Sequence, residues 1–174
     1  MISRVKNMAQ RGFTLVELLI VVIILAILAA IIIPQFTAAT DDATQSAYDT
    51  NIANIRSAID LYRQQHQEYP GEVIATGGTC INGAAVTPGA IGEEAFLAQL
   101  RFYTNAAGQA CTGTDPNEFK YGPYLKDDIP VNPLATTTPN NTVNVVSTGI
   151  LGLTSGGTGG WRFDSETGEF IGDE

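Results

Sequence analysis

Gly12-Phe13-Thr14-Leu15-Val16-Glu17, followed by the apolar run over residues 18–33, decides how the rest of the chain is read. Residues 13–33 hold one charged side chain, Glu17, and Pro34 closes the run. As a helix rising 1.5 Å per residue, the stretch is long enough to cross the ~30 Å hydrocarbon core of a bilayer. Arg4, Lys6 and Arg11 precede it with no acid among them, whereas Asp41, Asp42 and Asp49 follow it. The excess of positive charge on one flank puts residues 1–12 in the cytoplasm and the body of the chain outside.

Two ordinary readings compete for this segment. A secretory signal would have a shorter apolar core and then small residues before a cleavage site. Ala29-Ala30 offers small residues, but Ile31-Ile32-Ile33 follow with no polar region. A plain single-pass anchor has no use for Glu17. A carboxylate in the apolar part of a membrane helix costs ~2–3 kcal/mol near the bilayer centre, less near the interface, and such residues are functional by default. Glu17 therefore needs a positive partner. A cut after Gly12 would create one, the new α-amino group of Phe13, about one helical turn away or on a neighbouring copy. Glu17 then reads as a registration charge for packing helix on helix.

The run Arg11-Gly12-Phe13-Thr14-Leu15-Val16-Glu17-Leu18-Leu19-Ile20-Val21-Val22 resembles the processing site of type IV pilins and of the pseudopilins of type II secretion. The resemblance implies that a prepilin peptidase cuts between Gly12 and Phe13 and N-methylates Phe13. It further implies that Glu17 pairs with a neighbouring subunit's N-terminus as the filament grows. Residues 1–12 become a removed leader, 13–34 the membrane and filament-core helix, 35–67 the second half of the same helix, and 68–174 a globular head.

Length and composition fit that division. The chain has 174 residues, a net charge of −9 and only 16% charged residues, against ~25% in typical soluble proteins. An acidic body argues against nucleic acid as a partner, since phosphate contacts need clustered Lys and Arg. Beyond Pro34, which lacks an amide donor and so kinks or loosens a helix, Tyr48, Ile52, Ile55, Ile59 and Tyr62 recur at spacings of 4, 3, 4 and 3. That is one helix face. Asp49, Asn54, Arg56, Asp60 and Arg63 occupy the opposite side. Tyr69-Pro70-Gly71 ends the helix near His66. His66, the only histidine, reads as a polar residue of the last helical turn.

In the body, residues 93–100 read as a short helix with acids in the first turn and Phe96, Leu97, Leu100 and Tyr103 on one face. Cys80 and Cys111 lie in loops on either side of it. Outside the cytoplasm such a pair reads as one disulfide, contributing about 3–4 kcal/mol by restricting the unfolded chain; the alternative is two free thiols. Three prolines between Tyr121 and Leu134 exclude helix and central strand. This segment resembles the one that leads into the sheet of major pseudopilins. Short strands are expected at 142–146 and 150–153, a flexible loop at 155–160, and a hairpin from 160–164 to 169–172 across Ser165-Glu166-Thr167-Gly168. Trp161 belongs in the core.

The expected fold is thus α+β and pilin-like. A long N-terminal helix, half protruding and half amphipathic, packs on a small antiparallel sheet with one short extra helix. The function implied by the resemblance is that of a filament subunit, a homo-oligomer without chemistry of its own. It would be the major pseudopilin of a type II secretion system or, alternatively, the major pilin of a surface pilus. A membrane-anchored minor pilin or binding protein is a further alternative. Implied partners are the prepilin peptidase, an inner-membrane assembly platform, minor pseudopilins and, before assembly, the bacterial inner membrane; the finished filament would lie in the periplasm or on the surface. No cofactor is expected. The resemblance raises calcium, which major pseudopilins hold in a C-terminal Asp/Gly-rich loop. The candidates here are Asp164, Glu166, Glu169 and Asp173, but residues 155–160 carry no acid, and solvated surface acids are the plainer reading. No Ser/His/Asp set, Cys/His pair, phosphate loop or metal-ligand spacing points to an enzyme.

Overall fold

The computed structural model describes residues 12–86, 91–138 and 140–173. Arg4, Lys6 and Arg11, the basic residues of the expected leader, lie outside them. Helix α1 (Leu15–His66) runs unbroken through Pro34, and the chain divides into two units, Met1–Ala43 and Thr44–Glu174. Pro34 donates no hydrogen bond to the turn before it, yet the helix continues on both sides. Thr37 and Thr40 return their hydroxyls to the carbonyls of Ile33 and Phe36, each at 2.9 Å. Back-bonding of this kind satisfies hydroxyls in an apolar helix and tends to bend it.

In the first unit every described side chain from 12 to 43 is exposed. Phe13 is 85% exposed, Leu15 82% and Ile33 65%. The most apolar 18-residue window of α1 has a mean hydropathy of 3.4, and none of it is buried. By length and composition this helix can cross a membrane.

The second unit has its own core. The expected stripe is its floor: Ile52, Ile55, Ile59 and Tyr62 are buried, and Tyr48 packs partly buried beside them. Against them lie Phe96 and Leu100 of α2 (Glu93–Arg101), Ile129, and the sheet residues Val143, Trp161, Phe163 and Phe170. Aromatic rings knit the layers, with Tyr48 stacked on Trp161 (5.7 Å between centroids) and Phe96 against Phe163 (4.9 Å). Arg56, on the side opposite the stripe, reaches back to donate to the carbonyl of Phe170 at 2.7 and 3.1 Å.

Two small sheets complete this unit. Strands β1 (Tyr103–Thr104) and β2 (Ala110–Cys111) pair antiparallel, so the loop expected around Cys111 contains a strand. Strands β3 (Val143–Val146), β4 (Trp161–Asp164) and β5 (Phe170–Gly172) form the main sheet with β4 in the middle. The β4–β5 hairpin is antiparallel as expected, whereas β3 pairs parallel to β4, so the sheet is mixed. Gly172 faces Trp161 across this hairpin, and a Cβ there would lie 2.8 Å from the Tyr48 ring. Residues 150–153, expected as a strand, are loop. Gly149 and Gly152 sit there at φ 64° and 90°, which breaks an extended run.

The proline-rich segment behaves as its composition requires. It joins no strand of the main sheet and closes the core through main-chain contacts. Tyr124 and Leu125 both donate from their amides to the carbonyl of Leu100 at 2.9 Å, and the Trp161 indole donates to the carbonyl of Pro130 at 2.8 Å.

Candidate functional site

The candidate processing and assembly site lies at the start of α1. Gly12, Phe13 and Thr14 are non-helical, and a Cβ on Gly12 would meet nothing within 4 Å among the described residues. The Gly12–Phe13 bond is therefore exposed and uncrowded by the described residues. The helix begins two residues after it, for a local reason. The Glu17 amide donates to Thr14 Oγ1 at 3.2 Å, while Glu17 Oε2 accepts from the Thr14 amide at 3.3 Å and from its hydroxyl at 3.2 Å. This is a capping box, with Thr14 as N-cap and Glu17 at the third helical position. It satisfies amides that would otherwise lack partners, and the carboxylate also suits the positive end of the helix dipole.

Glu17 was read above through its need for a positive partner. The structure adds a partner within the chain, one the Thr-x-x-Glu spacing announces. The cap lies wholly on the C-terminal side of Gly12–Phe13, so cutting that bond would leave it intact.

The other expected site residues lie in the second unit. Cys80 and Cys111 form a disulfide with a Cα–Cα distance of 5.8 Å across 31 residues, and it staples the segments on either side of α2. Gln99 was missed. It is fully buried on α2 and uses its whole amide, accepting from the Gly71 amide (2.7 Å) and donating to the carbonyls of Gly108 (2.9 Å) and Val73 (3.1 Å). A polar residue on the buried side of a short helix gives no sign of this in sequence.

His66 lies in the last turn of α1, as expected. It is also half-buried, stacked on Tyr62 at 4.1 Å, with Nε2 at 3.0 Å from both Thr104 Oγ1 and Tyr124 Oη. Burial pushes its pKa below the ordinary imidazole value. Tyr124 in turn donates to Gln65 at 2.7 Å. The group locks the end of α1 to the proline-rich segment.

Asp164 and Asp173, expected as solvated acids, are fully buried. Burial alone would raise both carboxyls. The bonds Asp164 accepts from Thr148, Glu166 and Thr167, and those Asp173 accepts from Thr158, Ser155, Gly156 and Gly157, outweigh it and hold both below the usual carboxylate value. Among the described residues no group of three or more His, Cys, Asp or Glu side chains is placed to hold a metal ion.

Residues 7–33 match the prokaryotic N-terminal methylation motif. The chain is similar to the type II secretion system core protein G of Klebsiella michiganensis, with 34% identity over 37% of this chain and 46% of that protein. It is similar to the core protein G of Pseudomonas aeruginosa, with 41% identity over 35% and 43%. It is also similar to the type IV narrow pilus major component PilA5 of Thermus thermophilus, with 43% identity over 36% and 54%. The chain thus spans about half the length of the curated relatives it matches. No solved structure matches it. Through this motif and these relatives the chain is similar to pilins and pseudopilins over little more than a third of its length. The similarity extends to both the secretion-system G proteins and a pilus component.

Proposed function

We propose that this chain is the structural subunit of a pilus-like filament, and specifically the major pseudopilin of a type II secretion system. Prepilin peptidase cuts between Gly12 and Phe13 and methylates the new amine. Residues 13–34 hold the subunit in the inner membrane, with the leader in the cytoplasm, and then become filament core. Glu17 aligns each incoming subunit on a neighbour's Phe13 amine. An assembly platform and minor pseudopilins start and drive the polymer, whose growth moves substrates outward.

The observation that carries this reading is the arrangement at the start of α1. A non-helical Gly12–Phe13 bond stands directly before a self-capped helix whose described apolar side chains up to residue 43 are all exposed. Such a surface requires a cover. Bilayer lipid supplies it before assembly, and neighbouring copies of the same helix supply it afterwards.

The surface-pilus reading is the second one, favoured by the similarity to the Thermus thermophilus narrow-pilus component. Electron microscopy of sheared filaments from cells expressing the chain with its peptidase tests the subunit role. Gly12→Leu tests the processing step. A Cβ at Gly12 meets no atom of the described residues within 4 Å, so the variant should fold and leave a full-length, unassembled precursor in the membrane. Normal filaments from Gly12→Leu would refute the proposed cut.

A further inference from the structure

The connection from β3 to β4 spans residues 147–160. It is a parallel crossover, which is normally carried by a helix, yet here it has no secondary structure. Loops of this length without internal structure are uncommon in compact domains unless something pins them. Calcium would do this in the pseudopilins that this chain resembles, so the four carboxylates of the C-terminal hairpin have to be tested against that ion.

They do not fit it. Calcium takes six to eight oxygen ligands converging on one point. Here the carboxylates are dealt out along the loop, each to its own stretch. Glu166 takes the Ser147 hydroxyl. Asp164 takes the hydroxyl of Thr148 and its amide at 3.3 Å. Glu169 Oε2 takes the amides of Gly152 and Leu153, both at 2.8 Å. Asp173 takes the amides of Gly156, Gly157 and Thr158 and the hydroxyls of Ser155 and Thr158. What converges on each carboxylate is N–H and O–H, the positive end of a dipole, which repels a cation. The loop offers no carboxylate of its own.

We propose that hydrogen bonds from residues 147–158 to Asp164, Glu166, Glu169 and Asp173 take the place of a metal ion, so that this loop closes independently of calcium. The order of partners along the loop follows the order of carboxylates from Asp164 to Asp173, apart from an exchange at the first two, so the closure works as a row of separate latches. The glycines make it possible. A Cβ on Gly149 would lie 2.4 Å from Glu166 Oε2, and one on Gly156 would lie 2.2 Å from the Arg162 guanidinium. A row of latches differs from a shared ion in a measurable way, because each latch fails alone.

Hydrogen exchange of the full chain in detergent micelles, read by mass spectrometry over residues 147–160, tests this. Protection of the wild-type loop should be the same in excess calcium chloride and in EGTA. Asp173→Ala should speed exchange at Gly156, Gly157 and Thr158 on the order of tenfold or more, the worth of hydrogen bonds to a charged acceptor, while Gly152 and Leu153 keep their protection. Glu169→Gln should loosen Gly152 and Leu153 and spare 156–158. Loss of wild-type protection in EGTA with recovery in calcium would overturn the proposal, and this comparison needs no variant to fold. Uniform loosening of the whole loop by either substitution would overturn it too, since that is how a shared ion site fails.

Discussion

Thr14→Ala and Glu17→Gln separate two jobs that converge on one carboxylate. In Thr14→Ala the Glu17 amide loses its acceptor and Glu17 Oε2 loses the hydroxyl donor. Removing an N-cap threonine costs about 1 kcal/mol, which is roughly fivefold in the opening of the first helical turn. The negative charge stays. Glu17→Gln is the converse, since glutamine fills the third position of a capping box as well as glutamate does, so the turn stays closed while the charge disappears. Hydrogen exchange at the Glu17 amide in detergent reads the cap, and the yield of sheared filaments reads assembly. The expected result is a double dissociation. Thr14→Ala exchanges about fivefold faster but still assembles. Glu17→Gln exchanges like wild type and loses filaments by roughly tenfold or more, the worth of one charge-assisted hydrogen bond per subunit contact. If Glu17→Gln assembles normally while Thr14→Ala does not, the carboxylate serves the helix end only, and the registration argument is refuted.

Three further outcomes follow from the second unit. Gln99→Ala strands the amide of Gly71 and the carbonyls of Val73 and Gly108; at ~1–3 kcal/mol for each buried group left unpaired, denaturant titration should show a loss of about 3–5 kcal/mol. Replacing Cys80 and Cys111 together by serine should cost about 3–4 kcal/mol for a loop of this size, and reducing agent should then no longer lower the melting temperature. The half-buried His66 binds its proton less readily folded than unfolded, so its contribution is full above the ordinary imidazole value near ~6.5 and is lost as pH falls through and below it. Melting temperature should drop between neutral and mildly acid pH, and His66→Phe should flatten that slope; an unchanged slope would remove His66 as its cause.

The long helix and its burial were legible because spacing alone carries them. Ile52, Ile55, Ile59 and Tyr62 repeat at helical intervals, and each of them is buried. The hairpin was legible from its turn, where Gly168 takes a φ of 78°. The parallel placement of β3 was not. A four-residue strand such as Val143–Val146 reads the same whichever way its partner runs, and the direction is set by a crossover whose staples are long-range. The same cause hid Asp164, Asp173, Gln99 and His66. Each is polar in the sequence and buried or, for His66, half-buried in the fold, and each is held by donors or acceptors from distant segments that periodicity does not register. At the front of the chain the motif announces the site, and Thr14-x-x-Glu17 carries the capping box in the same six residues, where the charge of Glu17 points first to a cationic partner.

The central claim is that the filament is built from chains that begin at Phe13. Intact-mass and N-terminal peptide mass spectrometry of purified filaments tests it directly. The account predicts a subunit lacking residues 1–12 and starting at an N-methylated Phe13. Filaments whose subunits still begin at Met1 would contradict it.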